Sequence, residues 1–165
     1  NFKILNTITW QKKNPPPNFS CRCFTHSTEF IIWARKEREK AHFYNYSLMK
    51  ALNDNKQMKD VWTFSSISKW EKFNGQHPTQ KPLSILSRII LASSRKGDLV
   101  LDPFSGSGTT GIAANLLNRR YIGIDIEKEY LEIPKKRYAE IQVKQFDFIK
   151  KIEGLDYSII VNYDL

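Results

Sequence analysis

The sequence predicts an α/β domain in which helices pack on a parallel sheet, and three observations lead there. Its second half alternates short apolar runs with amphipathic stretches in the order β-α-β-α. A glycine-rich turn, Gly106-Ser107-Gly108-Thr109-Thr110-Gly111, joins the first of those runs to the helix that follows it. Both apolar runs end on a carboxylate, Asp102 and Asp125.

The chain has 165 residues, enough for a single core, since a chain of about 150 residues buries roughly 70% of its unfolded surface. Its net charge of +9 favours an anionic partner, because Lys and Arg raise the potential that draws in a phosphate backbone. No uninterrupted apolar run approaches the roughly 18 residues of a spanning helix, and no signal segment opens the chain. A cytoplasmic protein with no membrane partner is the expectation. Cys21 and Cys23, with His26 nearby, are too few for a four-ligand zinc site, so no metal is expected and both thiols are read as reduced.

Residues 1–34 are read as a β-hairpin. Ile4 to Trp10 alternates like a half-buried strand, Asn14-Pro15-Pro16-Pro17-Asn18 can continue neither helix nor central strand, and Glu29 to Ala34 forms a second β-like run. Because the first strand begins at once from Asn1, the amino terminus is read as a cut through a larger domain. Residues 35–76 begin with a charge cluster. They go on to mix Lys with His42, Phe43, Tyr44, Tyr46, Trp62, Phe64 and Trp70, with a short helix around Ser47 to Lys56 and a strand from Val61 to Phe64. Basic residues interleaved with aromatics suit backbone contact and base stacking, which makes this segment a candidate recognition insert, although core packing uses the same aromatics.

Residues 77–142 carry the β-α-β-α unit. Pro82 opens a helix whose Leu83, Leu86, Ile89 and Ile90 share one face, with Gly97 as the stop. Leu99 to Leu101 is a buried strand, Thr109 to Asn118 a second helix and Tyr121 to Ile124 a second strand. A third helix runs from about Glu127 to Gln142, with Pro134 expected to kink or restart it. Residues 143–165 form a tail without an assigned role, strand-like over Ser158 to Val161.

The glycine turn fits G-x-G-x-x-G, and Asp125 follows at the distance where a dinucleotide fold places a ribose-binding acid. That pattern permits a nicotinamide dinucleotide. Asp102 opposes it, because a carboxylate at the end of the strand would face the pyrophosphate at the helix amino terminus and repel it by several kcal/mol at an effective dielectric of about 20. An ammonium- and sulfonium-bearing nucleoside without phosphate is complementary instead, and S-adenosylmethionine is such a ligand. A plainer role for Asp102 and Asp125 is to cap the turns that follow them.

Asp102-Pro103-Phe104-Ser105-Gly106-Ser107-Gly108-Thr109-Thr110 resembles the cofactor motif of bacterial DNA amino-methyltransferases. His77-Pro78-Thr79-Gln80-Lys81-Pro82 is similar to the motif ahead of that family's first cofactor helix, and Tyr121 to Asp125 resembles its ribose-binding strand. Having the first motif before the glycine turn looks like the permuted β-class order, in which the catalytic half precedes the cofactor half. Residues 14–19 and 24–29 look most like adenine-modifying members.

The resemblance implies a Rossmann-like S-adenosylmethionine-dependent methyltransferase fold, of which this chain is the C-terminal portion. It implies methyl transfer to adenine N6 in double-stranded DNA, of the restriction-modification type. It also implies a cofactor site made of His77, Thr79, Lys81, Asp102, Pro103, Phe104, Ser105, Gly106, Ser107, Gly108, Thr109 and Asp125. Asp102 would take the methionine ammonium, Lys81 the carboxylate and Asp125 the ribose. The family's catalytic Asp/Asn/Ser-Pro-Pro-aromatic loop is missing. Asn14-Pro15-Pro16-Pro17 imitates it but offers no ring to stack on an extruded base. The loop is expected before Asn1, in an N-terminal half or a partner chain, so this chain alone is expected to be nearly inactive. The alternatives are one half of a split methyltransferase that binds cofactor and DNA, a homodimer, and an N4-cytosine methyltransferase.

Overall fold

The computed structural model describes residues 1–36, 41–72 and 80–163. It contains two sheets with helices packed on them. The first sheet has the order β2-β1-β3. Strand β1 (Lys3–Lys12) runs antiparallel to β2 (Thr28–Arg35), and β3 (Val61–Phe64) lies parallel to β1 on its other edge, with Trp10 opposite Trp62. Period-2 alternation turns Ile8, Trp10, Trp62 and Phe64 inward, where they meet Ile85 in a core cluster. The Trp10 indole donates to the Phe64 carbonyl at 3.2 Å, satisfying its polar edge inside that cluster.

Between the strands, α1 (Tyr46–Ala51) is capped by Asn45, whose side chain accepts from the Leu48 amide. It is shorter than the sequence suggested, because Asp54 and Asn55 take up left-handed backbone conformations that end it. Residues 35–76, expected as an insert, contribute β3 and the buried Leu48, Met49, Trp62 and Phe64. Trp62 and Phe64 are therefore core rather than a stacking surface.

Helix α2 (Leu83–Ser93) is the wall shared by the two halves. Ile85 joins the first cluster, while Leu83, Ile90 and Leu91 join the second. The helix ends at Ser94, whose amide and hydroxyl both bond the Ile90 carbonyl, ahead of the expected stop at Gly97.

The second sheet pairs β4 (Leu99–Asp102) in parallel with β5 (Arg120–Gly123), joined by α3 (Thr109–Leu116). On one face, Val100 and Tyr121 pack on the core. On the other, Leu99, Leu101, Ile122 and Ile124 are exposed.

Two expectations are corrected. Helix α4 (Lys128–Lys151) runs unbroken for 24 residues through Pro134, and so crosses the boundary placed at residue 142. Pro134 lies past the free amides of the first turn, so α4 continues through it at the cost of one internal hydrogen bond. The strand-like run at Ser158 to Val161 is part of a helix, α5 (Tyr157–Tyr163). The Asp156 carboxylate accepts from the amides of Ser158 and Ile159 and so nucleates it, and fully buried Ile160 seats it in the core beside Ile149 and Ile152. A short β-branched run cannot by itself distinguish a strand from a buried helix, and here the cap decides.

Candidate cofactor site

The end of β4 delivers Asp102 to a turn whose backbone is left-handed at Gly106 (φ 49°) and Gly108 (φ 69°). A side chain is strained at such angles, which accounts for glycine at both positions. Gly108 is the N-cap of α3 and supplies no side-chain cap, so the amino terminus of that helix keeps free donors. A cavity of about 200 Å³ opens here, lined by Lys81, Leu86, Asp102, Phe104, Ser105, Gly106, Ser107, Thr109 and Thr110.

Seven residues expected from sequence therefore share one cavity: Lys81, Asp102, Phe104, Ser105, Gly106, Ser107 and Thr109. Pro103, Gly108 and Asp125 are not among its lining residues. Gly108 shapes the turn from behind, and Asp125 latches it. The Gly106 amide donates to Asp125 Oδ2 at 2.6 Å, and the Glu127 amide to Oδ1 at 3.0 Å. Asp102 Oδ1 likewise accepts from the Phe104 amide at 3.1 Å. Both carboxylates thus cap the turns that follow them. His77 and Thr79 lie outside the described residues.

Lys81 is engaged from across the molecule. Its Nζ lies 2.6 Å from Glu29 on β2, and Lys12 on β1 reaches the other Glu29 oxygen at 2.7 Å. Partial burial raises the Glu29 pKa, but hydrogen bonds and charge from the two lysines more than offset this and hold the carboxylate below its usual range. The hairpin is thereby tied to the mouth of the cavity. Tyr121 stands under the turn, its hydroxyl 2.8 Å from Ser105 Oγ. Burial, together with the nearby Asp102 and Asp125 charges, pushes its phenol up despite the Ser105 bond.

Sequence reasoning missed four participants, one of them Thr110, which lines the cavity beside Thr109. Leu86 lines the cavity, although its helical spacing marked it only as core. Ile126 directly follows Asp125 and is 95% exposed, and Phe104 is 88% exposed, so the two turns joined by the Gly106–Asp125 bond both present bare apolar side chains. Arg137 is the fourth, donating from α4 to the Ser107 carbonyl. Asn14, by contrast, is used structurally: its Oδ1 accepts from the Ser66 amide at 2.7 Å. Among the described residues, no group of three or more His, Cys, Asp or Glu side chains could hold a metal ion, and no helix is long and apolar enough to cross a membrane.

A parallel strand-turn-helix-strand unit with acidic strand ends, a glycine turn and a cavity at the carboxyl end of the sheet defines a nucleoside-binding α/β protein of the Rossmann-like kind. The chain belongs to the DNA methylase family, whose N6_N4_Mtase profile matches residues 1–136. It is 63% identical over 153 residues to the type II methyltransferase M2.MboI of Moraxella bovis, covering 92% of this chain and 56% of that protein. It is 69% identical over 137 residues to the type II methyltransferase M2.DpnII of Streptococcus pneumoniae, covering 82% and 51%. The chain thus spans about half the length of these relatives.

Among solved structures, the M1.HpyAVI-SAM complex aligns with a TM-score of 0.67 at 36% identity, over 82% of this chain and 62% of that one. TTHA0409 of Thermus thermophilus, a putative DNA modification methylase complexed with S-adenosyl-L-methionine, aligns at 0.58 and 26% identity, over 84% and 54%. The cytosine-N4-specific PvuII DNA methyltransferase shares the fold, with a TM-score of 0.67 at 19% identity over 96% of this chain and 57% of that one. The architecture is the Rossmann-like fold of S-adenosylmethionine-dependent DNA methyltransferases, present in part.

Proposed function

We propose that the intact protein is a site-specific DNA methyltransferase of the restriction-modification type, moving a methyl group from S-adenosylmethionine to adenine N6 in double-stranded DNA, and that this chain is its cofactor half. The observation that carries the reading is the pairing of Asp102 and Lys81 in one cavity beside an open helix amino terminus. A carboxylate and an ammonium there match the two charged ends of a methionine moiety, and charge-assisted bonds of this kind are about twice as strong as neutral ones. Family membership and the methyltransferase names of the relatives point the same way.

In this reading Asp102 takes the methionine ammonium. Lys81 takes the carboxylate in competition with Glu29, and the backbone from Gly106 to Thr109 forms the cradle. Asp125 binds the ribose, while Phe104 and Ile126, bare in the structure, are covered by the apolar parts of the nucleoside. His77 and Thr79 complete the set by resemblance. The bound cofactor supplies a methyl group on a sulfonium, an electrophile for an exocyclic amine. The chain's own part is orientation and charge placement. The base-holding Pro-Pro loop comes from an N-terminal half, within the same protein or in a partner chain or second copy. The exposed apolar face of β4 and β5 is suited to lie against such a half. Residues 35–76 serve as the DNA-recognition segment, and the protein works in the cytoplasm.

Incubating the intact protein with duplex DNA and S-adenosylmethionine, and then analysing the nucleosides by mass spectrometry, tests this. N6-methyladenine at one recurring sequence is expected. N4-methylcytosine would reassign the target base, and neither product would overturn the reading.

A further inference from the structure

Arg137 is only 5% exposed and lies against the glycine turn, on a helix that contributes nothing to the cavity lining. Its Nη1 donates to the Ser107 carbonyl at 2.7 Å and to Thr109 Oγ1 at 3.2 Å. One helical turn earlier on the same face of α4, the Pro134 ring packs over Gly108. A Cβ placed on that glycine would lie 2.6 Å from both Pro134 Cβ and Cγ. The turn is therefore held from behind at three consecutive positions, while its cavity side stays open.

Packing alone does not account for an arginine here. A buried guanidinium is costly to desolvate, and an apolar side chain of similar volume generally serves a core as well or better. What an apolar residue cannot do is bond a backbone carbonyl and a hydroxyl in a left-handed turn that has no side-chain cap of its own. Glu71, itself buried, is the acidic group whose charge favours the Arg137 cation. Its carboxylate accepts from the amides of Leu83 at 2.7 Å and Ser68 at 3.1 Å, and its carbonyl accepts from Gln80 at 3.0 Å. Burial pushes the Glu71 carboxyl up, against the lowering effect of those backbone hydrogen bonds and the Arg137 charge. Burial pulls the guanidinium down to about 10, which leaves it cationic at neutral pH.

We propose that Arg137 is a positioning residue for the cofactor site: with Pro134 it fixes the Ser107–Thr109 turn in its ligand-ready shape. The proposal rests on the cofactor reading above. Arg137 touches no ligand and acts through the turn, so its loss is expected to fall on cofactor affinity rather than on the chemical step.

The test uses the intact protein, with S-adenosylmethionine binding measured by calorimetry and turnover measured at saturating cofactor. Arg137→Met is expected to weaken cofactor binding by about tenfold or more, the size of a lost charged hydrogen bond. KM for the cofactor should rise in step, with kcat and KM for DNA changed far less, and Arg137→Lys should recover part of the loss. Pro134→Ala serves as the second variant, since it restores a helix donor and need not lower the melting temperature, yet should still weaken cofactor binding several-fold. Folded Arg137→Met protein with wild-type affinity overturns the proposal. If that variant does not fold, wild-type affinity in Pro134→Ala does so. Absence of binding by the wild-type protein instead fails the cofactor reading and takes this proposal with it.

Discussion

The Gly106 amide donates to the Asp125 carboxylate at 2.6 Å, so the turn after β4 is latched to the end of β5 across 19 residues of sequence. One acid thus holds the turn, and in the proposed reading it also binds the ribose. Asp125→Ala should cost about 1 kcal/mol of stability, the usual size of a lost hydrogen bond at a partly buried donor, and should also weaken cofactor binding. Chemical denaturation and a binding titration on the same samples check both. A variant that loses neither contradicts the latch.

Gly111 lies inside α3, where alanine would ordinarily stabilise by up to about 1 kcal/mol. Here a Cβ would overlap the Tyr121 ring that fills the space between α3 and β5. Overpacking of a tight core typically costs about 1–3 kcal/mol, so the clash outweighs the propensity gain. Gly111→Ala should lower the melting temperature, and a rise would mean that the ring moves aside freely.

Glu29 carries a pH signature. Its folded pKa lies below the unfolded value, so its contribution to stability is fully present above about pH 4.3 and fades as pH falls through the lower folded value. Its side chain is about a third exposed. Screening by solvent therefore limits the contribution to about 1 kcal/mol or less. Glu29→Gln should flatten the stability curve between about pH 3 and 5, and 1 M salt should shrink its difference from the wild type. Unfolding curves across that range decide the matter, and an unchanged acid limb contradicts the Lys12–Glu29–Lys81 arrangement.

Ile160 is fully buried although it lies in the segment that the sequence presented as a tail. Removing a core isoleucine costs about 2–5 kcal/mol. Ile160→Ala should destabilise the protein on that scale in denaturant, whereas an effect below about 0.5 kcal/mol would place α5 outside the core.

The contrast between Ile160 and Asp102 shows what could be read in the chain. The glycine turn, both acidic strand ends and the helix after Pro82 are local features, set by short-range backbone and charge requirements, and they were visible. Asp156 as the cap of α5 was also local, but the β-branched run after it masked the signal. The Lys81–Glu29 pair spans 52 residues, and Arg137 reaches Ser107 across 30. No periodicity links such positions. They meet only in the folded chain, where Glu29 on β2 reaches Lys81 ahead of α2 and where α4 packs against the glycine turn. Leu86 was visible as apolar but not as a cavity wall, since a helix with apolar residues on two sides gives no sign of which one a ligand meets.

In the proposed reading, the acidic end of β4 selects a cationic, phosphate-free nucleoside. Calorimetric titration of the intact protein with S-adenosylmethionine and with NAD, repeated on Asp102→Asn, tests it most directly. S-adenosylmethionine should bind, NAD should not, and the substitution should weaken S-adenosylmethionine by about tenfold or more. Binding of NAD in place of S-adenosylmethionine, or full S-adenosylmethionine affinity without the Asp102 charge, would contradict it.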